Sequence, residues 1–277
     1  MELNPQKLKE EALQEQSVLK EISEEGILTI TLNKPKKFNS LTIGMYYVII
    51  DYLNEANSDS KVKTIILRGN GKNFSSGNDL SNFVSFAGDR EFQIKGSQFF
   101  GNDLMKVFCA AFINCKKPII AVVQGSVIGV AFTLLMLCDE IYSTEDAYFQ
   151  APLVKLAQGP EMCSSYTFPQ VFGYQRAFEI IVGAKTLKSR DMLDYKVVNQ
   201  LFKTYEETLQ YAQQRAKEFC QLDQESVIQA KSLMRWDRDI LHKVNLEECK
   251  NLINRWSSEN LIEVIMNFFQ RKQNSKL

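Results

Sequence analysis

Two glycine-bearing turns and one acidic stretch hold the residues of this sequence best suited to chemistry. The first turn is Phe74-Ser75-Ser76-Gly77-Asn78-Asp79-Leu80, and the second is Gln124-Gly125-Ser126-Val127-Ile128-Gly129-Val130. Each follows a predicted strand. Glycine lets the backbone approach a ligand closely and turn its N–H groups outward. A helix beginning just after such a turn adds partial positive charge. A single turn of this kind is commonly no more than a connection, but two allow a pair of N–H groups to converge on one developing oxyanion. Neither has Walker or Rossmann spacing, which disfavours a nucleotide phosphate cradle. The acidic stretch is Gln158-Gly159-Pro160-Glu161-Met162-Cys163-Ser164-Ser165-Tyr166. Its Glu161 has two readings on residue type alone, an acid favouring a helix's first turn or a proton-transfer base.

Composition narrows the chemistry further. The 277 residues contain one histidine, His242, so His-rich metal sites cannot be built, and a Ser-His-Asp triad could form only once. No metal or redox cofactor is expected. Lys+Arg and Asp+Glu both number 33, giving zero net charge and no global field toward nucleic acid or an anionic membrane. The six cysteines lack a C-x-x-C pair and fit free thiols in a reducing compartment. The chain ends in Ser275-Lys276-Leu277, which matches a peroxisomal address read by a soluble import receptor.

The elements that must position these groups follow from pattern. Val18–Ile22 and Ile27–Leu32 flank a Gly-containing turn and read as a hairpin. Residues 42–57 read as a helix with Thr42 as N-cap, and Val62 to Leu67 as a buried strand running into the breaker Arg68-Gly69-Asn70-Gly71. Pro118 to Cys138 carries no charge and is long enough to span a bilayer. Its β-branched content and Pro118 favour a buried strand, Ile119–Val123, then a Gly turn and a buried helix. Strands and helices alternate to about residue 200, predicting an α/β core. Beyond it, 206–220, 223–236, 239–256 and 258–272 read as helices. The expected organisation is a polar segment over 1–17, a core over 18–200 and a helical region over 201–277.

These motifs together resemble the enoyl-CoA hydratase/isomerase (crotonase) superfamily. FSSGNDL, the second turn with Cys138-Asp139, and Leu32-Asn33-Lys34-Pro35-Lys36-Lys37-Phe38-Asn39-Ser40-Leu41 carry the resemblance, from about Val18 to the C-terminus. It implies a spiral of ββα units with a C-terminal helical region that assembles trimers or hexamers. It also implies that the N–H groups of Ser76 and Gly129 bind a thioester carbonyl. The family's hydratases carry two glutamates, at positions where this chain has Thr133 and, after Pro152, Leu153. That argues against hydration.

The stretch GPEMCSSYTFP resembles the peroxisomal 3,2-enoyl-CoA isomerase subfamily, as do LHKVNLEEC and the Arg255-Trp256 pair. Members often carry an upstream acyl-CoA-binding domain, for which too few residues precede the core here. The resemblance makes Glu161 a lone proton shuttle moving a double bond from the 3- to the 2-position of an enoyl-CoA. The substrate contacts it implies are Ser75, Gly77, Asn78, Asp79, Leu80, Lys36 and Phe38 for the CoA moiety, and Phe132 and Leu153 for the pocket. Phe268, Phe269 and Lys272 could complete the CoA site. Two alternatives stand beside this reading: a non-catalytic acyl-CoA-binding module on the same fold, or another enzyme of the superfamily such as a dienoyl-CoA isomerase or a hydratase. The expected setting is the peroxisomal matrix, with no membrane span and no nucleic-acid partner.

Overall fold

The expected hairpin opens the sheet on which the rest of the chain is built. The structure is a computed structural model that describes residues 4–84 and 90–274. Helix α1 (Pro5–Gln14) begins where the Asn4 side chain accepts the Lys7 N–H at 3.1 Å, so the polar N-terminal segment is an ordered, capped helix. It packs on α2 (Ile43–Ser58), with β1 (Val18–Ile22) and β2 (Ile27–Leu32) lying between them in sequence. Val18 pairs with Leu32 across the hairpin. Strand β3 (Thr64–Gly69) starts two residues later than the apolar run suggests, because Val62 and Lys63 are spent on the turn after α2. The short α3 (Ser81–Val84), α4 (Arg90–Gln98) and α5 (Lys106–Asn114) follow, the last two joined by a π-helical segment, Phe99–Met105.

The uncharged stretch folds inside the protein. It forms β4 (Ile119–Val123), β5 (Ser126–Ile128), the one-turn α6 (Val130–Thr133) and a 3-10 turn over Leu134–Leu137. All five β4 residues are buried, and no helix among the described residues is long and apolar enough to cross a membrane. The continuous helix expected after Gly125 is interrupted by β5, which pairs with β7 (Tyr148–Gln150) beyond β6 (Glu140–Thr144). Next come α7 (Ser164–Phe172), α8 (Tyr174–Ile181), β8 (Leu187–Lys188), α9 (Ser189–Asp194) and β9 (Gln200–Phe202). Four helices close the chain: α10 (Tyr205–Gln221), α11 (Gln224–Met234), α12 (Arg238–Trp256) and α13 (Asn260–Asn274).

The main sheet runs β1-β2-β3-β4-β6-β9, parallel except for the first pair, and a smaller sheet runs β5-β7-β8. Parallel strands are covered on both faces, so their residues are apolar on both sides. Leu28, Ile30, Ile65, Leu67, Ala121 and Val123 face the larger core with α2 and α5. Their alternates Ile27, Ile66, Ile120 and Val122 pack on Ala212, Ala216 and Cys220 of α10. The i, i+4 alanines let α10 sit close to the sheet. Helix α10 is thus a layer of the core, and β9 straddles residue 200, so sheet and C-terminal helices are continuous there. The architecture is of the α/β class expected from the alternation of strands and helices.

Candidate active site

Asn39, fully buried with φ of 53°, ties the first turn to the strand ends. Its Nδ2 donates to the carbonyls of Asn70 and Asn73 at 2.9 and 2.8 Å, and its Oδ1 accepts the Lys34 N–H at 2.8 Å. Its own carbonyl accepts the Ser75 hydroxyl at 2.7 Å, and that hydroxyl accepts the Gly77 N–H at 3.0 Å. The two glycine turns are bonded to one another. Ser75 N–H donates to Ser126 O at 3.1 Å and Ile128 N–H to Ser75 O at 3.0 Å. Gly77, at φ +82°, approaches so closely that a Cβ there would lie 2.4 Å from the Ile128 carbonyl oxygen. Glycine is required at that position on both counts.

This arrangement corrects the expected pair of oxyanion donors. The Ser76 N–H donates to Phe38 O and the Gly129 N–H to Gln150 O, both at 2.8 Å, so both are consumed by the fold. The Asn78 and Val130 N–H groups, beside them in the same turns, make no hydrogen bond among the described residues. Asn78 is flanked by the Leu41–Gly77 and Asp79–Leu41 bonds and turns its own N–H away from that bridge. Val130 is the first residue of α6, where no preceding turn supplies an acceptor. Both Ser75 and Gly77 are likewise committed to scaffold bonds rather than to a ligand.

Glu161 enters from a different element. Met162 and Cys163 both have left-handed φ, 55° and 62°, which reverses the chain before α7. The Ser164 N–H donates back to the Glu161 carbonyl at 3.0 Å, and the Ser164 hydroxyl accepts the Glu161 N–H at 3.2 Å. Glu161 is only 5% exposed. Burial, and secondarily the charge of Glu248, push its pKa up to about 8. Glu161 in turn bears on the phenol of fully buried Tyr46 from α2, which burial first, then Glu161 and Asp79, hold well above its ordinary range. The Tyr46 hydroxyl donates to Asn78 Oδ1 at 3.2 Å, as does Asn82 Nδ2 at 2.8 Å. Tyr46 therefore links the base to the first turn.

Other expected contacts fall in distinct places. Asp79 accepts bonds from Ser40 and Ser81; burial raises its pKa, but those bonds and Lys34 outweigh it and hold the acid low. Its carboxylate caps α3, and Leu80 packs on the main core. Lys36 is exposed on a 3-10 turn beside Phe38, which is 54% exposed despite its apolar ring. Phe132 is fully buried and packs against the rings of Phe149 and Phe168. Leu153 is buried, and its carbonyl accepts from Leu156 and Gln158. Thr133 spends its hydroxyl on the Val130 carbonyl at 3.3 Å. His242 bonds Asn114 at 3.0 Å at the end of α5. The side chains of Phe268, Phe269 and Lys272, and all of Ser275-Lys276-Leu277, lie outside the described residues. A cleft of about 820 Å³ beside Phe202 and Tyr211 shares no residue with these turns.

Sequence reasoning missed Glu248, Tyr46 and the free N–H groups. Glu248 had a visible signal. The buried stripe of α12 runs Leu241, Asn245, Glu248, Leu252, Trp256, and a carboxylate at that spacing is out of place on an apolar face.

A profile of the family "Enoyl-CoA hydratase/isomerase" matches residues 22–274. Rat "Enoyl-CoA delta isomerase 2" is 39% identical over 253 residues, covering 90% of this chain and 63% of the rat protein. Mouse "Enoyl-CoA delta isomerase 3, peroxisomal" is 34% identical over 258 residues, covering 92% of this chain and 79% of that protein. The chain thus spans less than two thirds of the rat relative's length. A solved Acinetobacter baumannii structure described as a putative enoyl-CoA hydratase/isomerase superposes with TM-score 0.80 at 28% identity, over 89% of this chain and 99% of that one. With the profile matched over most of its length, and with these relatives, the chain belongs to the enoyl-CoA hydratase/isomerase family.

Proposed function

We propose that this protein moves the double bond of a 3-enoyl-CoA to the 2-position, with Glu161 as a single proton shuttle. The observation that carries this reading is the buried Glu161 carboxyl group, raised to about 8, whose charge bears on the Tyr46 phenol that bonds Asn78 of the first turn. A thioester carbonyl set between the Asn78 and Val130 N–H groups gains most from them when it becomes an enolate oxygen. Each such donor is worth about 2.7–4 kcal/mol at comparable sites. Ionised Glu161 takes the α-proton, the charge spreads over a dienolate, and the same carboxyl group returns the proton to the γ-carbon. No water is consumed, and the proton never leaves the site. A base near pH 7–8 balances ready removal against ready return.

Hydration needs a second acid–base group on the water. Thr133 and Leu153 occupy the two places where hydratases hold glutamates, and neither can serve. The rat and mouse relatives bear the name of the proposed activity, and the mouse protein is named peroxisomal. The terminal Ser275-Lys276-Leu277 fits the same compartment through the import receptor. Exposed Lys36 and Phe38 are the proposed edge of the CoA site, and a homotrimer or hexamer is the proposed assembly. A coupled assay presenting 3-enoyl-CoA and 2-enoyl-CoA to one preparation tests the reading. Isomerase turnover exceeding hydratase turnover by orders of magnitude is expected; hydration as the faster reaction would overturn it.

A further inference from the structure

Glu248 is a buried acid that the proposed reaction does not use, and it is bound to the very turn that presents the base. Its Oε2 accepts the Cys163 N–H at 2.7 Å, and its Oε1 accepts the Ser165 N–H at 2.8 Å. These groups lie at the open N-terminus of α7, which cannot satisfy them internally. Helices are commonly capped by a Ser, Thr, Asn or Asp at the N-cap. Here the N-cap is Cys163, which makes no side-chain cap bond, and the acceptor arrives from 85 residues away in sequence. Bringing a carboxylate into the interior carries a desolvation penalty that its hydrogen bonds must offset. Cys163 sits at φ 62°, outside the extended backbone from which an N-cap side chain reaches the first turn, so the acceptor has to come from another element. Two consecutive left-handed residues also persist only where the surroundings over-determine them.

We propose that Glu248 is a positioning residue for Glu161, fixing the 161–165 turn through its two hydrogen bonds and facing the base with a second buried carboxyl group. The inference rests on Glu161 being the base. Two carboxyl groups sharing an interior hinder one another's ionisation, so each proton lost makes the next harder to remove. Burial pushes Glu248 up against the opposing effect of its two N–H donors. The groups around the pair are Tyr46 from α2, Asp79 acting through Tyr46, Cys109 and Lys106 from α5, Cys163 before α7 and Cys249 from α12. On the outer side, Lys243 and Glu247 share a cleft of about 360 Å³ with Glu248, Ser165 and Pro160. Among the described residues, no cation figures in what shifts either carboxyl group. Glu248 therefore sets both where the base points and how tightly it holds its proton.

The test is the pH dependence of kcat and kcat/KM for 3-enoyl-CoA in the wild type, Glu248→Gln, Glu248→Asp and Glu161→Gln. Glu248→Gln removes the charge and one of the two acceptors. Its kcat is expected to fall about 10- to 100-fold, since displacement by 1 Å can cost about 100-fold, with KM nearly unchanged. Its acid limb is expected to move to lower pH by about half a unit or more, because the like charge is gone. Glu248→Asp keeps the charge and loses reach, so kcat falls while the limb stays near the wild-type position. An unmoved limb in Glu248→Gln, or a loss confined to KM, overturns the proposal, because a merely structural cap would leave the limb in place. If Glu248→Gln does not fold, Glu248→Asp decides: wild-type kcat overturns the proposal, and a lowered kcat at constant KM supports it. Native turnover by Glu161→Gln would remove the base itself and this inference with it. An inert Glu161→Gln beside wild-type Glu248 variants removes this inference alone.

Discussion

The paired glycine turns and the Glu161 turn meet at one site but are built on opposite principles. The glycine turns offer backbone N–H groups, held by main-chain bonds between strands and by Asn39. Their dihedral angles, above all the positive φ of Gly77, set where those groups point. The Glu161 turn offers one side chain whose environment, rather than its backbone, supplies the reactivity. Fixed dipoles need only geometry; a base needs geometry and a tuned proton affinity.

The largest expected effect lies on the base. Glu161→Gln should lower kcat by about 10³-fold or more with little change in KM, as loss of a general base typically costs 10²–10⁴-fold. A smaller loss would mean that the N–H pair carries most of the catalysis. Next is Gly77→Ala, whose Cβ would lie 2.4 Å from the Ile128 carbonyl oxygen at a φ of +82°. Forcing the turns apart should cost about 100-fold in kcat/KM while leaving the pH profile in place. That contrast separates the two halves of the site.

Proton affinity sharpens the comparison. With Glu161 raised to about 8, kcat/KM should climb about tenfold per pH unit on the acid side and level off above about pH 8. The same shift has a stability consequence. Glu161 holds its proton more tightly folded than unfolded, so its contribution is full below its ordinary 4.5 and is lost as pH rises through about 8. Glu161→Gln should therefore melt above the wild type at pH 9, and a lower Tm there would contradict the burial argument. The smallest effect is expected for Ser76→Ala. Its N–H is retained, so turnover should change less than about twofold and stability by no more than about 0.5 kcal/mol.

Local patterns in the sequence delivered the hairpin, β4 and the four closing helices, because periodicity and length report directly on which face is buried. They stopped short where tertiary pairing decides. Gly77 illustrates the reason: its positive φ breaks the alternation of the segment, so Ser76 and Asp79 bond the 38–41 segment and Asn78 turns outward. A donor's availability depends on which strand lies alongside, and no motif spells that out. The same holds for α10, read as an outlying helix until its alanines were found against the sheet. Glu161 was legible because its neighbourhood is local; Tyr46 and Glu248 were not, because they reach it from α2 and α12.

That last distance has a consequence for the making of the protein. A ribosome delivers both glycine turns and the Glu161 turn well before it delivers α12, so a growing chain can assemble its sheet while Cys163 and Ser165 still lack their acceptor. The Glu161 turn gains that acceptor only when residue 248 has cleared the exit tunnel and α12 has docked. Its last two hydrogen bonds thus arrive late in biosynthesis, after the scaffold that contains it.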